Sequence, residues 1–262
     1  MGDLRDVTST TPPLRRRPLL LVAHPGHELR LFGWIAKTRP LVAILTDGSG
    51  STGISRIDLS RELVDRLGGE IVMAGRFAEP LLYEMILRAD AGPLLAVAEE
   101  LAVLLREEGS DLIVSDAGEG YHPGHDLCTP IAACGAARCP QPPRHYEYRV
   151  VGDPRVNGSH ASVLMLDDAT LRDKIESSRR YAAESGAVLA AEVEYMFDTY
   201  GEESFRYECL LPAGHEGPQL HDGLRYYEKR GEQRVRDGRY REVLRHATHV
   251  EPLVAAMRQR AR

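Results

Sequence analysis

The sequence predicts an α/β fold: a parallel sheet flanked by helices, with a mixed C-terminal part. Three observations lead there. Short apolar runs alternate with helix-length segments over the first 140 residues, the pattern of strands joined by crossover helices. Glycine-rich turns follow several of the apolar runs. Two of those runs, far apart in the chain, lead into the same tetrad and an acid, His24-Pro25-Gly26-His27-Glu28 and His122-Pro123-Gly124-His125-Asp126.

Residues 1–17 read as a disordered lead-in, since Thr10-Thr11-Pro12-Pro13 is a poor helix nucleus. A strand at 18–23 follows, then a helix at about 27–37 turning Leu29, Phe32 and Ile35 inward. Leu41 to Leu45 is a buried strand ending in the loop Asp47-Gly48-Ser49-Gly50. A helix near 55–67 stops at Gly68-Gly69, a C-cap signal. Ile71-Val72-Met73 gives a third strand. Pro93 opens a helix with Leu94, Val97, Leu101 and Leu105 at helical spacing, which closes at Gly109. The strand Leu112 to Val114 leads into the second tetrad. Beyond residue 140 the pattern loosens into a strand near 161–166, helices near 168–185 and 186–197, and a strand near 205–211. From about 219 the tail is charged and mostly helical.

With 262 residues, 43% hydrophobic and 27% charged, the chain can bury a full core as one domain with a C-terminal extension. Its net charge of -6 gives no footprint for nucleic acid or acidic membranes. The apolar stretch broken by His24 is too short for a signal-peptide core or a membrane span, so a cytoplasmic location is expected. The four cysteines have no CxxC spacing and read as reduced, buried thiols.

Apolar strands of a parallel sheet deliver their C-terminal ends to one edge, where ligands bind. Two histidine pairs brought to that edge make a metal site the leading expectation. Nitrogen-rich sites favour zinc, while iron, nickel and copper are also compatible. The other histidines, at 145, 160, 215, 221, 246 and 249, fall in no metal motif.

The order of these pieces resembles the PIG-L/LmbE family of metal-dependent de-N-acetylases. Its members begin with a strand ending in Ala-His-Pro-Asp-Asp-Glu, continue with a Thr-Asp-Gly loop, and later carry Gly-x-His-Pro-Asp-His. The corresponding segments here are Ala23 to Glu28, Thr46-Asp47-Gly48 and Gly120 to His125. The helix beginning Asp167-Asp168 with Lys174, and Glu203-Ser204-Phe205, are similar to later landmarks of that family. The resemblance spans residues 18–212 and sets a domain at 18–218, with 219–262 as a helical extension packed on it. It implies a Rossmann-like fold and a zinc-dependent hydrolase that removes an N-acyl group, commonly acetyl, from an amino sugar or sugar-containing metabolite. It also implies His24, His27 and His125 as metal ligands, with His27 where the family has aspartate. His122 takes the place of the histidine that supports the tetrahedral intermediate or protonates the leaving amine.

Two departures stand out. Gly26 replaces the family's general base, and Gly124 replaces an aspartate beside the second pair. Loss of a general base costs about 100- to 10,000-fold in rate. A three-histidine metal can hold its water near a pKa of ~7 without a carboxylate ligand, which offsets part of that loss. Asp116 and Glu119, in the stretch that presents His122, are the preferred replacement bases. Glu28, Asp126 and Asp47 are expected to support histidines from behind or to cap backbone N–H groups. Ser49 and Tyr121 are the candidate substrate contacts, Tyr121 as a hydrogen-bond donor to an oxyanion. The loop at 47–53 lacks the lysine of a P-loop, and no Gly-x-Ser-x-Gly elbow marks a serine hydrolase.

Two rival functions share these residues. Four histidines without the family's aspartate also suit a tailoring metalloenzyme of non-hydrolytic chemistry, or a pseudo-enzyme that binds a ligand in the old pocket. The identity of the metal separates the first from a hydrolase, since redox-active iron or copper points away from simple hydrolysis. Tyr226-Tyr227 and the arginines of the tail read as a solvated helical face or a contact in a homo-oligomer.

Overall fold

A computed structural model of the protein describes residues 16–50, 53–155, 161–214 and 223–260. Most of the expected lead-in, through residue 15, and the start of the tail, 219–222, lie outside the described residues. Five parallel strands form the body of the sheet: β1 (Leu19–Val22), β2 (Leu41–Thr46), β3 (Glu70–Phe77), β4 (Leu112–Asp116) and β5 (Arg144–Tyr148). Two more, β6 (Ser162–Met165) and β7 (Tyr207–Pro212), complete the order β3-β2-β1-β4-β5-β7-β6. β7 runs antiparallel to both β5 and β6, so the C-terminal part is mixed, as expected.

β1, β2 and β4 are buried along their whole length. That burial on both faces is why they read as unbroken apolar runs rather than alternating ones. Successive side chains of a strand point to opposite faces. Leu19, Leu21, Ala43 and Leu45 therefore join one core, with α3 (Glu79–Leu87), α4 (Gly92–Glu108) and α5 (Pro123–Ala137). Leu20, Val22, Val42 and Ile44 join the other, with α1 (Phe32–Thr38), α2 (Ile57–Arg66) and Tyr181 of α6 (Asp168–Ser185). A third cluster joins α6 to α7 (Ala187–Tyr200) through Leu171, Ile175 and Phe197.

Two elements have no counterpart in the sequence reading. β5 reads Arg-His-Tyr-Glu-Tyr, with no apolar run, and its pairing with β4 and β7 makes it a strand. α3 opens with Glu79-Pro80 directly after β3, where Pro in the first turn suits a helix start. The helix expected at 27–37 is divided into a tight 3-10 turn, His27–Leu31, and α1. In the tail, α8 (Tyr226–Arg236) and α9 (Glu251–Arg260) flank a π-helical turn. Tyr227, Leu253 and Met257 from this region enter the same core as α4 and α5. All four cysteines are free and buried. Among the described residues no helix is long and apolar enough to cross a membrane.

From β1 the sheet grows through β2 to β3 on one side, then through β4 to β5 on the other. The switch point lies between β1 and β4, and crevices outside the carboxyl ends of such strands hold ligands in open α/β sheets. Both tetrads follow those two strands.

Candidate metal centre at the switch point

His24 stands just past β1, and His27 opens the 3-10 turn that follows. His122 is the N-cap of α5, with its Nδ1 accepting the Gly124 N–H at 3.1 Å, and His125 lies in the first turn. The four rings gather into one cluster. Centroids are 4.4 Å apart for His24 and His122, 4.5 Å for His27 and His125, and 5.1 Å for His24 and His27. Ring nitrogens of His24, His122 and His125 all lie within 4.8 Å of one another.

Carboxylates fix two of the rings. The Nδ1–H of His27 donates to Asp116 Oδ2 at 2.6 Å, and Asp116 also accepts the Ala23 N–H at 2.8 Å. The Nδ1–H of His24 faces Glu79 Oε1 at 2.5 Å, with the Thr46 hydroxyl 2.8 Å from the same nitrogen. A carboxylate can only accept, so each of these rings keeps its Nε2 lone pair for another partner. His125 Nδ1 is buried with no hydrogen-bond partner. His24 Nε2 and His122 Nδ1 face each other at 2.9 Å.

Burial lowers the pKa of His27, against the raising influence of Asp116. Burial and the neighbouring imidazoles bring His122 down to about 3 and hold His125 well below the usual histidine range. These three rings are therefore neutral, the form that binds metal. Convergent neutral nitrogens, carboxylates behind two of the rings and an orphaned Nδ1 on His125 together fit a divalent cation.

Glycine at two positions permits the arrangement. Gly26 has φ of 106°, and a Cβ there would meet the Tyr181 ring at 3.0 Å. A Cβ on Gly124 would sit 3.1 Å from His122 Nδ1 and 3.2 Å from His24 Nε2. A side chain at 124 would thus crowd the space where the two rings approach.

The acids singled out in the sequence have other tasks. Both oxygens of Glu119 are occupied by the backbone N–H groups of Val150, Val151 and Gly152, at 2.6 to 2.9 Å. That anchors the loop after β5 and takes Glu119 out of consideration as a base. Asp116 is fully buried beneath His27, where it orients that ring. Asp126 accepts the Gly120 N–H at 2.9 Å and pairs with Arg225 at 3.2 Å, while burial pushes its carboxyl up to about 6. Glu28 accepts the Gly26 N–H, and burial raises its pKa. Asp47 closes a turn onto the N–H and hydroxyl of Ser49; Ser49 is buried, and the cavity wall at this loop is Gly48 and Gly50. Tyr121 lines the cavity and stacks on Tyr226, with centroids 4.6 Å apart.

Sequence reasoning missed Glu79 and Tyr83. Glu79 reaches His24 and Thr46, and its second oxygen lies 3.9 Å from His122 Nε2. Burial raises the carboxyl of Glu79, but His24, His122 and Thr46 outweigh it and bring the pKa to about 2. The Tyr83 hydroxyl stands 3.3 Å from the same His122 nitrogen. An acid followed by proline at a helix start just after β3, Glu79-Pro80, was the available signal.

No protein-family model and no curated protein sequence matches the chain. Solved structures do. The A40926 pseudoaglycone deacetylase Dbv21 aligns with a TM-score of 0.57 at 14% identity, covering 78% of this chain and all of the other. A deacetylase from the teicoplanin biosynthesis pathway, solved as a complex with bog, gives 0.53 at 12% identity, over 76% of this chain and all of the other. The zinc-inhibited form of teicoplanin deacetylase Orf2 gives 0.50 at 13% identity, with the same coverage. At that identity the likeness establishes the fold: this chain is built on the α/β architecture of these deacetylases.

Proposed function

We propose that the protein is a metal-dependent amide hydrolase of the PIG-L/LmbE type, removing an N-acyl group from an amino-sugar-like small molecule. The observation that carries this reading is the cluster of four imidazoles, two of them backed by carboxylates, at the switch point of a deacetylase-like fold.

His24, His27 and His125 would hold the ion. Asp116 fixes His27 with its Nε2 free, and Glu79 does the same for His24. A divalent ion bound there, zinc being the ion the nitrogen donors suit, supplies a Lewis acid and an acidified water. His122 stands apart in its bonding. Its Nδ1 accepts the Gly124 N–H, so its proton sits on Nε2, facing Glu79 and Tyr83. Neutral His122 can take up at Nδ1 a proton given up by the attacking water, and the Glu79 carboxylate beside Nε2 stabilises the resulting imidazolium, which passes that proton on to the departing amine. Tyr121, on the cavity wall, can donate to the acyl oxygen.

A second reading makes His122 the third ligand in place of His27. The convergence of its ring nitrogen with those of His24 and His125 favours it. Metal analysis of single variants separates the two. In the first reading the wild type binds close to one equivalent of divalent metal, His24→Ala, His27→Ala and His125→Ala each lose affinity, and His122→Ala keeps the metal but loses turnover. Retention by His27→Ala with loss by His122→Ala establishes the second reading. Activity is read as free amine released from N-acetylated amino sugars, and chelation should abolish it. No metal uptake by the wild type, with zinc, cobalt, manganese, iron and nickel each supplied, would overturn the metal-dependent function.

A further inference from the structure

We propose that Tyr226, carried by the C-terminal extension, is a positioning residue: its ring holds the Tyr121 ring in the orientation from which the Tyr121 hydroxyl serves the substrate. This rests on the amide-hydrolase reading and makes the extension a working part of that site.

Tyr121 and His122 end the loop that joins β4 to α5. Gly118 and Gly120 lie in this loop, and Gly120 has φ of 68°, so the segment has little conformational preference of its own. It is tied from outside. The Gly120 N–H donates to Asp126 at 2.9 Å, and the Gly120 carbonyl accepts the Tyr226 N–H at 2.8 Å. The Arg225 side chain closes the same space, 3.1 Å from where a Cβ on Gly120 would sit. Those ties set the backbone beside Tyr121, and Tyr226 sets the ring. The two rings lie with centroids 4.6 Å apart and planes 6° from parallel, an offset stack. On its other side the Tyr121 ring faces that of His125, with centroids 6.2 Å apart. Tyr227 enters the core and anchors α8, whereas Tyr226 is 48% exposed, so the Tyr226 ring is spare for the fold. Burial pushes the Tyr121 hydroxyl up to about 12, which keeps it a donor at neutral pH. A donor to an oxyanion acts only from a narrow range of positions. A stacked pair favours its orientation by roughly 2- to 12-fold, and that factor sets the size of the effect.

The test uses the full-length, metal-loaded protein and the variants Tyr226→Phe and Tyr226→Ala. Both keep the backbone N–H that reaches Gly120, so they differ only in the ring. Activity is amine release from N-acetylated amino sugars. Fluorine relaxation of protein labelled with 3-fluorotyrosine reads the mobility of the Tyr121 ring without turnover, its resonance being the one lost in Tyr121→Phe. Tyr226→Ala should free that ring and lower kcat by roughly 2- to 12-fold, with KM and zinc content unchanged. Tyr226→Phe should match the wild type on every count. With Tyr121→Phe already in place, Tyr226→Ala should cost nothing more, because the residue it positions has lost its hydroxyl. A Tyr121 ring that stays rigid in Tyr226→Ala, or one that is freed with kcat unchanged, overturns the proposal. An equal loss of kcat from Tyr226→Ala with and without the Tyr121 hydroxyl also overturns it, since Tyr226 would then act on the fold at large. A freed ring in Tyr226→Ala, with no amine released by the wild type from any N-acyl substrate, supports the contact and sinks the hydrolase reading.

Discussion

Glu79 and His24 meet at 2.5 Å across the ends of α3 and β1, although 55 positions separate them in the sequence. The contact fixes which nitrogen of His24 faces the other imidazoles. A partner of this kind raises ligand basicity and locks ring orientation, and losing it typically costs about 10- to 100-fold in metal affinity. Glu79→Gln keeps the shape but lets the amide present either a donor or an acceptor to Nδ1. Its affinity for zinc, measured by competition with a chromogenic chelator, should fall by that factor while the fold is retained. Unchanged affinity would remove Glu79 from the site.

Gly26 stands where the resemblance places a catalytic aspartate, so restoring Asp would be expected to return a base. The structure argues otherwise. The positive φ of Gly26 is costly for any residue with a Cβ, and the Tyr181 ring is 3.0 Å from where that Cβ would sit. Left-handed backbone costs an L-residue about 1–2 kcal/mol, and displacement of the ring adds to it. Gly26→Asp should lower the melting temperature by several degrees without raising turnover. A gain in turnover at unchanged melting temperature would show that the 3-10 turn rearranges to accept the side chain.

The body of the sheet was legible because β1, β2 and β4 are buried on both faces and so read as plain apolar runs. The tetrads were legible because they follow two of those strands. β5 was hidden because its stability comes from pairing with β4 and from its cover, and its own residues alternate polar and aromatic. Glu79 was hidden for a related reason: the sequence gives no sign that the end of β3 lies two strands from β1. Asp116 and Glu119 were found as acids near His122. Their duties, orienting one ring and anchoring a loop, depend on directions that only the fold sets.

The C-terminal region reaches the loop that presents His122. Arg225 pairs with Asp126 at 3.2 Å and donates to His246 at 2.9 Å, and the Tyr226 N–H binds the Gly120 carbonyl. Arg225→Ala leaves the buried Asp126 carboxyl without its cation, which should cost about 1–3 kcal/mol. Asp126→Asn added to Arg225→Ala should recover part of that loss, because the charge that needed a partner is gone. Denaturant midpoints for the two single variants and the double variant measure the coupling. Simple additivity would mean that the pair contributes nothing.

His145 allows a pH prediction away from the imidazole cluster. It lies on β5 with Nε2 2.9 Å from the Ser115 hydroxyl, and burial lowers its pKa to about 4. The ordinary value is about 6.5, so between those two pH values the unfolded chain binds the proton and the folded chain does not. Stability then rises with pH across this window. Acidifying from above 6.5 to below 4 removes stability on the order of 3 kcal/mol through this group, and acidification well below 4 removes no more through it. His145→Gln keeps a polar partner for Ser115 and cannot titrate. The drop in urea midpoint between pH 7 and pH 4.5 should therefore be smaller in the variant than in the wild type. The three buried cluster histidines contribute the same sign to both proteins, so the difference between the two drops isolates His145. Equal drops would mean that His145 titrates alike in the folded and unfolded chains.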